Sequence, residues 1–259
     1  NGYEPAEVLG FFEDICSIPH ISYHEKELSD YCVAFAKERN LYYEQDELGN
    51  VIIIGEATPG YEDVEPIIIQ GHLDMVGDKV PECDIDMEKE SIRIKVEGDF
   101  ITAEGTTLGG DDGIAIAYGL ALLDSKDIPR PRLELVLTVC EEVGLEGSKH
   151  YTKTYEDEIK KNILMINVDV AGAVLGSDVA MATSESCLVD YVNYMACDTG
   201  FSINVKQDIY SSDSIPFADK GVPAINFCRF GPQGAAFIHN RHDVIDYLSA
   251  DSLESTAKF

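Results

Sequence analysis

Basic residues are scarce in this chain. Lysine and arginine number 19 against 48 aspartates and glutamates, a formal charge of −29 over 259 residues. A surface of that sign repels phosphate backbones and anionic lipid, which argues against nucleic-acid and membrane partners. Its plainest use is solubility. A smaller part offsets bound cations, because clustered carboxylates repel one another unless a metal sits between them. No apolar run approaches the ~20 residues of a membrane-spanning helix. The opening Asn1-Gly2-Tyr3-Glu4-Pro5 has neither the basic nor the apolar segment of an export signal. Internal repeats, low-complexity tracts and the G-x-S-x-G run of serine hydrolases are also missing. The seven cysteines lack the close pairing of a disulfide framework, and most lie in apolar stretches. Reduced, buried thiols and a cytoplasmic home are expected.

What is present suits one globular domain with a sizeable core, since 45% of residues are hydrophobic and 26% charged. Residues 5–18 and 24–40 carry apolar side chains at helical spacing; Pro5 suits a first turn and Pro19 ends the first helix. Residues 50–55 (NVIIIG) and 66–70 (PIIIQ) are short, wholly apolar runs, the mark of buried strands. Residues 92–96 and 100–103 alternate about Glu97-Gly98-Asp99, a hairpin signal. Residues 113–123 read as helix, 133–139 and 163–168 as buried strands with helix over 148–160 between them. Residues 222–227 read as the last strand and 243–259 as the last helix. Apolar strands alternating with helices predict an α/β fold, a mixed, mostly parallel central sheet with helices on both faces. The whole of 1–259 reads as a single catalytic domain, with a β-hairpin elaboration around 80–104 lying beside the sheet. Ligand sites in such folds gather at the carboxyl ends of the strands.

Five ionisable clusters fall at such ends or at helix starts. His72 and Asp74 follow PIIIQ and can share one side of an extended chain, where a carboxylate can hold the far nitrogen of a metal-bound imidazole. Asp111 and Asp112 follow two glycines at the opening of a helix, where they can also serve as caps. Glu141 and Glu142 sit side by side after LELVLTV; adjacent carboxylates there make sense if one binds metal and the other holds a proton. Asp169 closes the apolar run ILMI, a costly place for a carboxylate that is neither paired nor metal-bound. His239 and His242 precede the last helix. Each cluster alone has a bland reading as a surface pair, a cap or a solvated turn. Together they supply histidines and carboxylates for two tetrahedral zinc sites with a shared Asp. His20, His24 and His150 read as surface or packing residues.

The motifs GHLDMV, GTTLGGDDGIA, TVCEEVGLEGS and NVD resemble those of the co-catalytic zinc exopeptidases. From Val8 to about Ser148 the chain looks closest to aminoacyl-histidine dipeptidase (peptidase D) and its tripeptidase relatives. Residues 211–227 (SSDSIPFADKGVPAINF) and 237–249 (FIHNRHDVIDYLS) are instead similar to the double-zinc aminopeptidase branch, with glutamate carboxypeptidase and glutaminyl cyclase. The resemblance implies two zinc ions, or manganese or cobalt in their place. Asp111 would bridge them, His72 and Asp169 complete one site, and Glu142 and His239 the other. It makes Glu141 the general base and Asp74 the residue that orients His72, with Asp112 beside the bridge but not a ligand.

Two departures stand out. Dipeptidases of the first type carry a lid domain between the Asp169-like ligand and the last histidine, and residues 171–212 are too short for one, so no separate lid is expected. Some lidless relatives place a tyrosine before the final histidine to steady the oxyanion, where this chain has Ile238. The expected activity is hydrolysis of short peptides, as an aminopeptidase or dipeptidase. The same centre would serve an amidohydrolase acting on N-acyl amino acids, and a metal-binding protein without catalysis could dispense with Glu141. Carboxylates near the metals could attract a free α-amino group, or Arg229 or Arg241 could instead meet a substrate carboxylate.

Overall fold

The computed structural model describes residues 5–98, 100–169, 178–207, 212–228, 251, 255–256 and 258–259. His239, His242, Arg229, Arg241, Ile238 and most of the expected last helix lie outside the described residues. In chain order, helices α1 (Ala6–Cys16) and α2 (Lys26–Glu38) lead to strands β1 (Tyr42–Gln45), β2 (Val51–Gly55) and β3 (Ile67–His72). A hairpin, β4 (Ile94–Glu97) with β5 (Phe100–Ala103), precedes helix α3 (Gly110–Asp124) and strand β6 (Leu133–Thr138). Helices α4 (Glu146–Thr154) and α5 (Glu156–Ile159) follow, then β7 (Leu164–Asn167) and β8 (Val179–Thr183). The last described elements are α6 (Ser186–Thr199), β9 (Ile203–Lys206), α7 (Ser214–Asp219) and β10 (Ala224–Phe227).

Among the described residues these strands form an eight-stranded sheet in the order β1-β2-β6-β3-β7-β10-β8-β9. Its four central strands β6, β3, β7 and β10 run parallel, while β1, β2 and the β10–β8 pair supply antiparallel joins. The hairpin β4–β5 stands apart as its own two-stranded sheet, as the alternation about Gly98 predicts.

The apolar runs form strands because both faces of the sheet are covered. Val51, Ile53, Leu135 and Leu137 pack with Phe12, Ile15, Leu28, Cys32, Ile116 and Leu120 of α1, α2 and α3. Their neighbours Ile52 and Val136 point the other way, joining Ile68 and Met165 against Tyr151, Ile159 and Phe217 of α4, α5 and α7. Successive strand residues face opposite sides, so a largely apolar run is what satisfies two helical layers. Fully burying such a side chain contributes about 1.5–3 kcal/mol.

Register then levels the strand ends. Gln70 pairs with Asn167 and with Val136, and His72 with Thr138, so β3, β6 and β7 reach the same edge of the sheet. His72 ends β3, Glu141 and Glu142 follow β6, and Asp169 lies two residues beyond β7.

Candidate metal centre

His72 is 1% exposed and held at three points. Its backbone N–H donates to Asp112 Oδ2 at 2.9 Å, its Nδ1 meets the carbonyl oxygen of Asp74 at 2.9 Å, and its Nε2 lies 3.1 Å from Asp111 Oδ1. The preceding Gly71 makes room for this: a methyl group there would lie 2.7 Å from Asp112 Oδ2. Asp111 and Asp112 do not cap α3. The N-cap is Gly109, left-handed at φ 74, and both aspartates depart from helical geometry. Asp112, 1% exposed, holds the His72 backbone amide, while the Asp111 side chain is 33% exposed and faces Nε2.

The turn after β6 presents two carboxylates. Cys140 takes the left-handed region at φ 55, which swings the chain away from the strand. The backbone N–H groups of Glu141 and Glu142 then donate to Asp74 Oδ1 at 2.8 Å and Oδ2 at 3.1 Å, and Ser22 Oγ adds a 2.7 Å bond to Oδ2. Asp74 meets the His72 ring twice, with its carbonyl oxygen 2.9 Å and its carboxylate Oδ1 3.4 Å from Nδ1, while the carboxylate also holds the glutamate turn.

Ligand atoms of His72, Glu141 and Glu142 lie within 4.8 Å of one another, and so do those of His72, Asp111 and Asp112. Asp169, 5% exposed, joins them electrostatically. Burial, and then Asp111, pushes its carboxyl well above the usual carboxylate range. Burial likewise raises Glu141, which also feels Asp169, Asp213 and Glu142, and raises Asp112 well above its ordinary value. Burial works to lower His72, but hydrogen bonding to Asp111 and the charge of Asp112 raise it well above an ordinary histidine. One imidazole cannot neutralise this many carboxylates. A cluster so crowded and so buried stays ionised only beside added positive charge.

Not foreseen from the sequence is a buried polar network beside the cluster. Gln70 Nε2 donates to Asp213 Oδ2 at 2.6 Å and to Thr138 Oγ1 at 3.0 Å, and the Thr138 hydroxyl donates to the same Asp213 oxygen. Asn167 donates to Gln70 Oε1 and accepts from Ser212 Oγ at 2.6 Å. All five side chains are buried. Polar residues at the ends of β3, β6 and β7 are thus tied to one another and to the start of α7. The signal was there in the polar Gln, Thr and Asn that close three apolar strands. His20, expected at the surface or in packing, is 2% exposed, with Nδ1 2.6 Å from the carbonyl of Ile18. Among the cysteines, Cys16, Cys32, Cys140 and Cys228 are buried, but Cys187 and Cys197 are exposed on α6.

An open α/β sheet with a histidine–carboxylate cluster at its carboxyl edge defines a candidate metallohydrolase, and comparison with known proteins identifies the family. Residues 50–259 match peptidase family M28, and the chain belongs to it. The match bears out the resemblance read from the motifs. The chain is 42% identical over 144 residues to the cytosol non-specific dipeptidase of Escherichia coli (strain K12), across 56% of this chain and 30% of that protein. It superposes on aminoacylhistidine dipeptidase from Vibrio alginolyticus with a TM-score of 0.62 at 35% identity, over 70% of this chain and 35% of that one. The fold extends to the LapA aminopeptidase of Legionella pneumophila, at a TM-score of 0.64 and 15% identity, over 97% of this chain and 67% of that one. The chain therefore spans about a third of the length of the two dipeptidases.

Proposed function

We propose that the chain is a zinc-dependent exopeptidase that cleaves short peptides as an aminopeptidase or dipeptidase. The supporting observation is the level edge of β3, β6 and β7, where one buried imidazole belongs to two groups of possible ligands, one with Glu141 and Glu142 and one with Asp111 and Asp112, the atoms of each group within 4.8 Å of one another. In this reading His72, Asp111, Glu142, Asp169 and His239 would hold two ions, zinc or else manganese or cobalt. The donor set fits such a group: Nδ1 faces the carbonyl oxygen of Asp74, which can only accept a hydrogen bond, so Nε2, the nitrogen that faces Asp111, is the one that would give a lone pair to a metal. Metal held there would supply Lewis-acid polarisation for a water and an amide carbonyl.

The chain's own residues supply the rest. Asp74 fixes the turn so that Glu141 stands beside the cluster without being needed as a ligand. Beside cations Glu141 is ionised, takes the proton of the attacking water and hands it to the leaving amine. The surrounding carboxylates attract the free α-amino group of a peptide. A cytoplasmic home suits the free cysteines.

Metal analysis of the purified protein, beside a screen of dipeptides, aminoacyl-anilides and N-acyl amino acids, tests this. Bound metal with peptide hydrolysis is expected. Hydrolysis confined to N-acyl amino acids would make the protein a deacylase, and a metal-free protein would end the reading. Glu141→Gln separates enzyme from metal-binding protein: metal content should persist while turnover falls about 10²–10⁴-fold. Glu142→Gln should lose metal as well.

A further inference from the structure

Four successive backbone N–H groups run from the end of β6 into the glutamate turn, and each donates to a side chain from another part of the chain. Val139 donates to Asn50 Oδ1 at 3.0 Å, Cys140 to Glu25 Oε1 at 3.0 Å, and Glu141 and Glu142 to the two carboxylate oxygens of Asp74. Strand β2 pairs with β6 only as far as Leu137, so on that side these side chains take over where the ladder stops.

Asn50 differs from the other two because it grips the loop at both ends. It is fully buried and stands just before β2. Its Oδ1 holds Val139 where the chain leaves β6, and its Nδ2 donates to the carbonyl oxygen of Gly147 at 3.2 Å, where the chain enters α4. The two ends also meet directly, the Gly147 N–H donating to the Val139 carbonyl at 3.0 Å. A side chain on Gly147 would collide with the Val139 backbone and with the Asn50 oxygen. Residues 139–147 thus form a closed loop with a tight neck, and both glutamates ride on it. An amide fits this neck because it offers an acceptor oxygen and two donors. The second Nδ2 hydrogen goes to Asp46 Oδ2 at 2.7 Å. Asp46 is fixed in turn, its Oδ1 accepting the N–H groups of Leu48, Gly49 and Asn50.

We infer that Asn50 is a positioning residue for the hydrolysis: by closing the neck of this loop it sets where Glu141 stands, an inference that rests on the exopeptidase reading of the cluster. Its bonds to the loop are all to backbone, so it acts on the glutamates through the course of the chain. A misplacement of about 1 Å in a reacting group costs roughly 10²-fold in rate. A loop released at its neck gains that latitude even while Asp74 holds its middle.

The test measures kcat and KM for the best dipeptide, with metal in excess so that occupancy does not set the rate. Asn50→Ala should lower kcat about 10–100-fold while KM stays within about threefold. Ile159→Ala, which opens the buried core on α5, controls for lost stability and should keep kcat near the wild-type value well below its Tm. Wild-type kcat in Asn50→Ala, or an equal loss in the two variants, overturns the inference. A second pair separates the neck from the Asp46 contact and carries the test if Asn50→Ala does not fold. Asn50→Asp keeps the acceptor for Val139 but sets an oxygen against Gly147 and Asp46; adding Asp46→Asn restores the bond between the two side chains and not the one to Gly147. Tm should recover in the double variant while kcat stays low, and recovery of kcat together with Tm overturns the inference. If the wild type cleaves no peptide, the exopeptidase reading fails on its own, and hydrogen exchange decides the neck. Faster exchange at the Glu141 and Glu142 amides in Asn50→Ala but not in Ile159→Ala supports it, and unchanged exchange overturns it.

Discussion

Replacing Asp74 with asparagine is the sharpest probe of how the glutamate turn is held. The Asp74 side chain is fully buried and accepts from the Glu141 and Glu142 amides and from the Ser22 hydroxyl. Asparagine keeps the shape but offers only one acceptor oxygen. If that oxygen faces the Glu141 amide, the new NH2 group can donate to a rotated Ser22 hydroxyl, but the Glu142 N–H is left facing a donor. An orphaned buried donor costs about 1–3 kcal/mol, and the surviving bonds lose their charge assistance, from about 1.5–3 to about 0.5–1.5 kcal/mol each. A net loss of about 3 kcal/mol follows. At about 2–4 °C per kcal/mol for a chain of this size class, Tm should fall by roughly 6–12 °C. The measurement is thermal unfolding of chelator-treated protein, which separates the turn from any effect of metal, together with hydrogen exchange at the Glu141 and Glu142 amides. Both amides should exchange faster, and turnover of the metal-replete variant should fall because Glu141 is no longer fixed. A Tm within about 2 °C of wild type, with both amides equally protected, would refute the argument that Asp74 organises this turn.

Three further outcomes are expected. Gly71→Ala places a methyl 2.7 Å from Asp112 Oδ2 and 2.9 Å from Ala115 Cβ, so Asp112 must leave the His72 amide; metal content, read by mass spectrometry of the native protein, should drop. Phe217→Ala empties a fully buried site between α7 and the sheet and should cost about 3–5 kcal/mol in urea unfolding. Glu156 bonds Lys160 and Lys220, first the former, and its pKa is lowered from 4.5 to about 2. A folded-state value below the unfolded one adds stability that is present above the unfolded value and lost as pH falls through the folded one. The stability gap between wild type and Glu156→Gln should therefore shrink as pH falls from 4.5 to about 2.

The central strands were legible because burial on both faces favours apolar runs, unbroken as VIII, III and LMI in β2, β3 and β7 and interrupted only by Glu134 in the LELVL of β6 and by Asn226 in β10. Strand β1 (YYEQ) was not, since an edge strand half open to solvent has no apolar alternation to show. Helix α6 buries only Val192 and Ala196, too narrow a stripe to set a helical period, and α7 is six residues with a proline inside. The candidate residues were readable where ionisable groups cluster locally, as in Glu141-Glu142 and Asp111-Asp112. Asp213 was not, because its partner Gln70 lies 143 positions away and only the sheet brings them together. Asp74 shows a subtler limit: spacing predicts that it neighbours His72, but which of its oxygens comes closer depends on a turn built from another strand.

The strand order carries a consequence for the chain as it is made. β10 enters the sheet between β7 and β8, both of which precede it in sequence. Until the ribosome has passed Phe227, the inner edges of LMIN and VAMAT both lack a partner, and VAMAT is a strand whose every residue is buried in the finished fold. Open apolar edges of that kind recruit other chains. The nascent protein is therefore most exposed to aggregation in the interval between synthesis of β8 and of β10, and a chaperone that shields emerging chains would act on it there.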